Sequence, residues 1–226
     1  QVRAMQARLT TRPTLGAYRA IIINPADDLE RNAANALLKS LEEPPAGTFF
    51  LLVTHRPGML LPTIRSRARI LRFAPLPTNQ VEGALHAAAP DADPADISLA
   101  ARASGGATGA GLAFLAQQLG PAEALMRRIA SEGDPDFTLR GKLGEEIGAR
   151  PDRERLATTL DLARTVLAQK LDDPDPAGIP ALVEAHARLV TISGQAKSYN
   201  FDPGFLAMEI GTLLASAAQH RATRNG

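Results

Sequence analysis

The sequence predicts an α/β segment followed by an all-α remainder, and three observations carry that expectation. Residues 18–24 and 48–54 are short, mostly apolar runs, rich in isoleucine in the first and in Phe49, Phe50, Leu51 and Leu52 in the second, and a stretch of helical periodicity separates them. Beyond the proline-punctuated residues 74–78 the periodicity is helical only. The charge changes sign at the same place: residues 1–75 hold 11 Lys+Arg against 5 Asp+Glu, and residues 76–226 hold 14 against 19. A basic first third would attract anions such as phosphates, and the switch marks two modules with different partners.

Element by element, Val2, Met5 and Leu9 recur at helical spacing, so residues 1–10 read as the end of an amphipathic helix, followed by a turn over 11–16. Residues 18–24 form a strand buried on both faces, as in a parallel sheet. A helix over 29–43 follows, with Ala33, Leu37, Leu38 and Leu41 as its buried stripe, and Pro44 and Pro45 stop it. Residues 48–54 are the second buried strand and 69–73 a candidate third. Strand, helix, strand in this order is a βαβ unit with a right-handed crossover. Two or three strands fall short of a doubly wound sheet, so further strands are expected before Gln1.

After the linker, Thr78 is expected to cap a helix to residue 89, and Asp93 with Pro94 to start one to residue 103. Ser104, Gly105 and Gly106 break it, and a third short helix runs to Leu119. Helices over 121–132, 137–148, 152–171 and 180–193 follow, with an acidic, proline-containing loop at 172–178. In the longest, Leu156, Leu160, Ala163, Leu167 and Leu171 form one stripe. The last helix starts at Asp202 and Pro203, with Phe205, Leu206, Ile210, Leu213, Leu214 and Ala217 facing inward.

Composition bounds the chemistry. Hydrophobic residues make up 45% and charged residues 22%, the balance of a globular domain. No apolar run approaches the ~18 residues of a membrane span, which argues against a membrane partner. The absence of cysteine excludes a disulfide, a thiolate zinc site and a cysteine nucleophile within these residues, and fits a cytoplasmic setting. Neither an initiator methionine nor a signal peptide opens the chain, so it is expected to be a fragment. His55, His86, His186 and His220 lack metal-ligand spacing, so no metal site is expected. No Walker-type phosphate loop and no nucleophile elbow occur. With two tyrosines and no tryptophan, any DNA contact should be to phosphates and sensitive to salt.

The informative stretch is Asn35, Ala36, Leu37, Leu38, Lys39, Ser40, Leu41, Glu42, Glu43, Pro44 and Pro45, then Thr54, then Thr63, Ile64, Arg65, Ser66, Arg67, Ala68 and Arg69. It closely resembles the bacterial replicative clamp-loader subunits of the AAA+ superfamily. There the first block precedes a sensor strand and the second supplies an arginine finger. The match is tight over residues 18–75 and rests on the order of elements over 76–226. The resemblance implies the C-terminal part of an AAA+ core at 1–75, a helical lid at 76–119 and a helical collar at 120–226.

In ATP-hydrolysing members the first strand ends in an acidic pair that holds magnesium and polarises water. Here Asn24 and Pro25 stand at that point: an amide is a poor magnesium ligand, and proline is no base. Asp27 and Asp28 read as helix-start charges favoured by the macrodipole. Thr54 matches the first sensor position, and Ala110 stands where a basic second-sensor residue is expected. The chain therefore reads as a member without its own ATPase or nucleotide cofactor.

Arg67, with Ser66 as its motif neighbour, matches the finger and would act in trans on ATP and magnesium held by a partner subunit. The alternative is that Arg65, Arg67, Arg69 and Arg72 line a basic, solvated strand edge. Glu42 and Glu43 point about 100° apart and read as rim residues rather than paired acids. The partners implied are the other subunits of a hetero-pentamer, the sliding clamp and primed DNA. A four-cysteine zinc module, common in the family, would lie upstream of Gln1. Two rivals stand beside this reading: the ATP-hydrolysing motor subunit of the same assembly, and a stand-alone DNA-binding helical protein.

Overall fold

The computed structural model describes residues 16–27, 29–54, 57–171, 178–196 and 201–222, with side chains as far as residue 218. It divides into two compact units, residues 1–73 and 74–226. The helix expected over 1–10, its turn as far as residue 15, Asp28, His55, the side chain of His220 and the loop over 172–177 lie outside the described residues.

In the first unit, β1 (Arg19–Ile23) and β2 (Thr48–Leu52) pair in parallel, with Arg19 opposite Thr48 and Ile23 opposite Leu52. Parallel neighbours need a crossover, and α1 (Arg31–Glu42) lies within it. Its last backbone bond, from the Glu43 N–H to the Lys39 carbonyl at 3.1 Å, closes just before the two prolines. The fully buried positions are Ala34 and Leu37, with Leu38 and Leu41 half-buried. Ala33, expected in the stripe, is only half-buried, because the buried line runs through its neighbour. A 3-10 turn (Pro57–Met59) and a single-turn helix, α2 (Pro62–Arg65), complete the unit.

Two expectations are corrected here. Neither strand is buried on both faces: Ala20, Ile22, Phe49 and Leu51 share an exposed face, with Ile22 65% accessible, while Arg19, Ile21, Ile23, Thr48, Phe50 and Leu52 are half-buried. One βαβ crossover brings a helix to one face of the sheet only, and a second layer is needed to bury the other. Residues 69–73 form no strand. They have no regular secondary structure and are exposed, Phe73 being 91% accessible, because no described strand lies beside them to complete a ladder.

The second unit is entirely helical among the described residues: α3 (Thr78–Ala88), α4 (Pro94–Ala103), α5 (Thr108–Ala116), α6 (Gly120–Glu132), α7 (Thr138–Ile147), α8 (Arg153–Lys170), α9 (Ile179–Ala196) and α10 (Pro203–Ala222). Asp93 caps α4 as expected, accepting from the Ala95 N–H at 2.7 Å with Pro94 in the first turn. Asp152 and Asp202 serve α8 and α10 in the same way, at 2.7 and 2.8 Å. Thr78 is not a cap: Pro77 holds that position and Thr78 is the first helical residue.

One apolar core runs without a break from Val81 on α3 to Ala215 on α10, through Ile97, Met126, Leu143, Leu160 and Leu189. Each such large side chain withdrawn from water contributes roughly 1.5–3 kcal/mol before entropy is counted. The α8 stripe holds at Leu160, Ala163 and Leu167, but Leu171, one residue beyond the helix, is 43% exposed. On α10, Leu206, Ile210 and Leu214 face inward, whereas Phe205, in the first turn with its N–H capped by the Asp202 carboxylate, has its side chain exposed. Gly106, at φ +84°, joins α4 to α5 where a Cβ would meet Pro75 Cβ at 2.6 Å, and its carbonyl accepts from the Leu76 N–H at 2.9 Å. No described helix is long and apolar enough to cross a membrane.

Candidate functional site

The site is built where the end of α1 meets the single turn of α2. Leu61 precedes Pro62, whose fixed φ suits the first helical position, and the turn is pinned by Ile64, buried to 1%. Around this turn the Leu61, Pro62, Ile64 and Arg65 carbonyls accept backbone N–H groups. The Thr63 carbonyl accepts two side-chain donors instead: the Ser66 hydroxyl at 3.1 Å and Arg67 Nη1 at 3.0 Å. Arg67 Nη1 also donates to Ser66 Oγ at 3.2 Å. Ser66 is thus a rest for the guanidinium as well as a motif neighbour.

The other terminal nitrogen, Arg67 Nη2, forms an ion pair with Glu42 Oε1 at 2.6 Å. This pair is at the surface, with the Arg67 side chain 37% and the Glu42 side chain 48% accessible. An exposed pair of this kind is worth about 0–1 kcal/mol, so the guanidinium is fixed in place without being locked away. Glu42, read from sequence as a rim residue, is therefore in contact with the arginine at the finger position of the motif. The signal was present: a carboxylate in the last turn of a helix sits against the macrodipole and needs a cation nearby.

Asn24, Pro25 and Thr54 come together at the carboxyl end of the sheet. The Val53 N–H donates to the Ile23 carbonyl at 2.9 Å, and the Ala26 N–H to the Val53 carbonyl at 2.7 Å, lacing the two strand ends side by side. Asn24 is exposed; Pro25 and Thr54 are half-buried. Ligands of open α/β sheets gather at this edge. There Asn24 offers a neutral amide and Pro25 no donor or acceptor on its side chain. Asp27 is not the helix-start charge the sequence suggested. Helix α1 begins at Arg31, and no acid lies in its first turn. Among the described residues no group of three His, Asp or Glu side chains is arranged to hold a metal.

In the second unit, Ala110 is half-buried on α5. It lines an open cleft of about 470 Å³ together with Ser104, Asp161, Arg164, Gln169 and His186. Burial, and then the Arg164 guanidinium, hold the His186 imidazole below its ordinary pKa. The methyl of Ala110 offers nothing to a phosphate.

Residues 1–77 match the family model described as "DNA polymerase III, delta subunit". A protein of Pseudomonas aeruginosa named DNA polymerase III subunit delta' is 31% identical over 173 residues, covering 76% of this chain and 42% of its own length. The Escherichia coli protein of the same name is 46% identical over 76 residues, 34% of this chain and 23% of that one. A DNA polymerase III subunit gamma/tau of Mycobacterium tuberculosis is 36% identical over 83 residues, 37% of this chain and 14% of that one. The matches span less than half of these relatives' lengths.

Proposed function

We propose, for a chain that belongs to the delta-prime-like subunits of the DNA polymerase III clamp loader, that it is a non-hydrolysing member whose Arg67 serves a neighbouring ATPase subunit in trans. The observation that carries this is the pairing of an exposed, anchored guanidinium at Arg67 with a strand end, Asn24 and Pro25, that lacks the acids ATP hydrolysis needs.

In this reading the partner subunit binds ATP and magnesium. Arg67 contributes a permanently charged, planar donor group that stabilises the charge developing on the transferred phosphoryl. The Thr63 carbonyl and Ser66 hydroxyl hold Nη1 and Glu42 pairs with Nη2, while the side chain stays 37% accessible and so within reach of an oxyanion. Residues 76–119 and 120–226 act as lid and collar, and the collar helices pack against other subunits of a hetero-pentamer. Val183 and Val190, exposed one above the other on α9, supply apolar surface for that contact. The assembly opens the sliding clamp and places it on primed DNA.

The test is ATP turnover by the assembled complex containing the full-length subunit. Arg67→Ala should leave folding intact and lower turnover by a factor on the order of 10 to 10³. Equal turnover with and without the guanidinium would refute the finger. The kinship with gamma/tau subunits over 83 residues supports one rival, a motor subunit. Magnesium-dependent ATP binding by the isolated full-length subunit would favour that rival.

A further inference from the structure

Glu42 lies 25 positions before Arg67 in the chain, yet its Oε1 is 2.6 Å from Nη2. Two further features make this more than a chance surface pair. Glu42 is the last residue of α1, where the helix presents its negative end and a carboxylate is disfavoured unless a cation answers it. The guanidinium is already held on its opposite nitrogen by the Thr63 carbonyl and Ser66 hydroxyl. Three acceptors, from two separate segments, thus surround one side-chain head. Holding only Nη1 leaves the plane free to swing about that end, and the carboxylate at Nη2 removes the swing.

We infer that Glu42 is a positioning residue for Arg67: by pairing with Nη2 while Nη1 is held by Thr63 and Ser66, it fixes the plane in which the guanidinium meets an oxyanion outside the chain. This rests on the reading of Arg67 as a finger. A planar fork delivers two parallel bonds only when its plane is fixed, which is the advantage arginine has over lysine for phosphate. The contribution is that of an exposed ion pair, a small multiple in rate rather than orders of magnitude.

The experiment uses the full-length subunit in the assembled clamp loader, with ATP as the probe and kcat and KM measured separately. Wild type, Arg67→Ala, Glu42→Ala, Glu42→Gln and the Arg67→Ala/Glu42→Ala double variant are compared. Thermal melting checks that each is folded. Glu42→Ala should lower kcat about 2- to 5-fold with KM within twofold of wild type. Glu42→Gln, whose amide oxygen still accepts, should recover part of the loss. The double variant should match Arg67→Ala alone, because a positioning residue has nothing left to position.

If Arg67→Ala slows turnover while Glu42→Ala equals or exceeds wild type, the positioning role is wrong and the finger reading stands. A Glu42→Ala loss that persists undiminished on the Arg67→Ala background would make Glu42 merely structural and would also overturn it. An unchanged Arg67→Ala complex would remove both.

Discussion

Arg155, in the first turn of α8, ties three segments of the helical unit together. Its Nε donates to the Ile147 carbonyl at 3.2 Å, Nη2 to the Glu146 carbonyl at 2.6 Å, and Nη1 to the Gln117 carbonyl. Those carbonyls belong to the ends of α7 and α5, so a single cation answers the negative ends of two helices. A hydrogen bond involving a charged group contributes about 1.5–3 kcal/mol, but the three are made by one side chain and are not additive. Part of each carbonyl's partner would be replaced by water after truncation.

Arg155→Ala should therefore cost about 2–4 kcal/mol. In a helical unit of this size that corresponds to a fall in melting temperature of roughly 5–15 °C. The assay is urea unfolding of the whole chain followed by far-ultraviolet circular dichroism, with midpoint and slope both fitted. Arg155→Lys should recover little, because one ammonium cannot reach three divergent carbonyls. A loss below about 0.5 kcal/mol, the scale of an ordinary surface substitution, would refute the clamp.

Two further outcomes follow from the packing and the electrostatics. At Gly211 on α10 an added Cβ would lie 2.4 Å from Arg140 Cγ, and Arg140 is buried beneath the Phe137 ring and beside Asp134. Gly211→Ala should destabilise by about 1–3 kcal/mol in a denaturant titration, although alanine is the better helix former; a gain in stability would show that Arg140 yields freely. Because burial and Arg164 depress the His186 pKa, the unfolded chain takes the proton first. Stability should be full above the unfolded value of about 6.5 and fall as the pH drops through it toward the folded value, and His186→Gln should flatten that slope; an identical acid limb in the two proteins would exclude His186 as its source.

Local signals were legible from sequence wherever the physics is local. The Asp93 cap with its following proline, the proline stop after α1 and the α8 stripe through Leu160, Ala163 and Leu167 each depend on residues within a turn or two. What escaped depended on neighbours distant in the chain. Residues 69–73 have the composition of a strand, but a strand is defined by a partner, and none stands beside them among the described residues. The apolar runs at β1 and β2 suggested burial on both faces, whereas a covering layer exists for one. At the site, the motif pointed to Arg67 and Ser66, and the structure gave them a common acceptor at Thr63. The pairing of Glu42, read only as a rim residue, and the role of Arg155 escaped because Glu42 meets Arg67 25 positions on and Arg155 reaches carbonyls 8, 9 and 38 positions back, separations that periodicity does not register.

The unbroken core of the second unit has a mechanical consequence. Leu85 and Ile97 near its start and Ile210 and Leu214 near its end belong to one close-packed cluster, and Arg127 bridges Glu123 to Gln169, which in turn reaches the Arg102 carbonyl. Interiors packed to this density hardly compress. The first and the last helices of the unit therefore share one interior, so a cavity opened at Leu85 and one opened at Leu214 would both be felt by the same cluster.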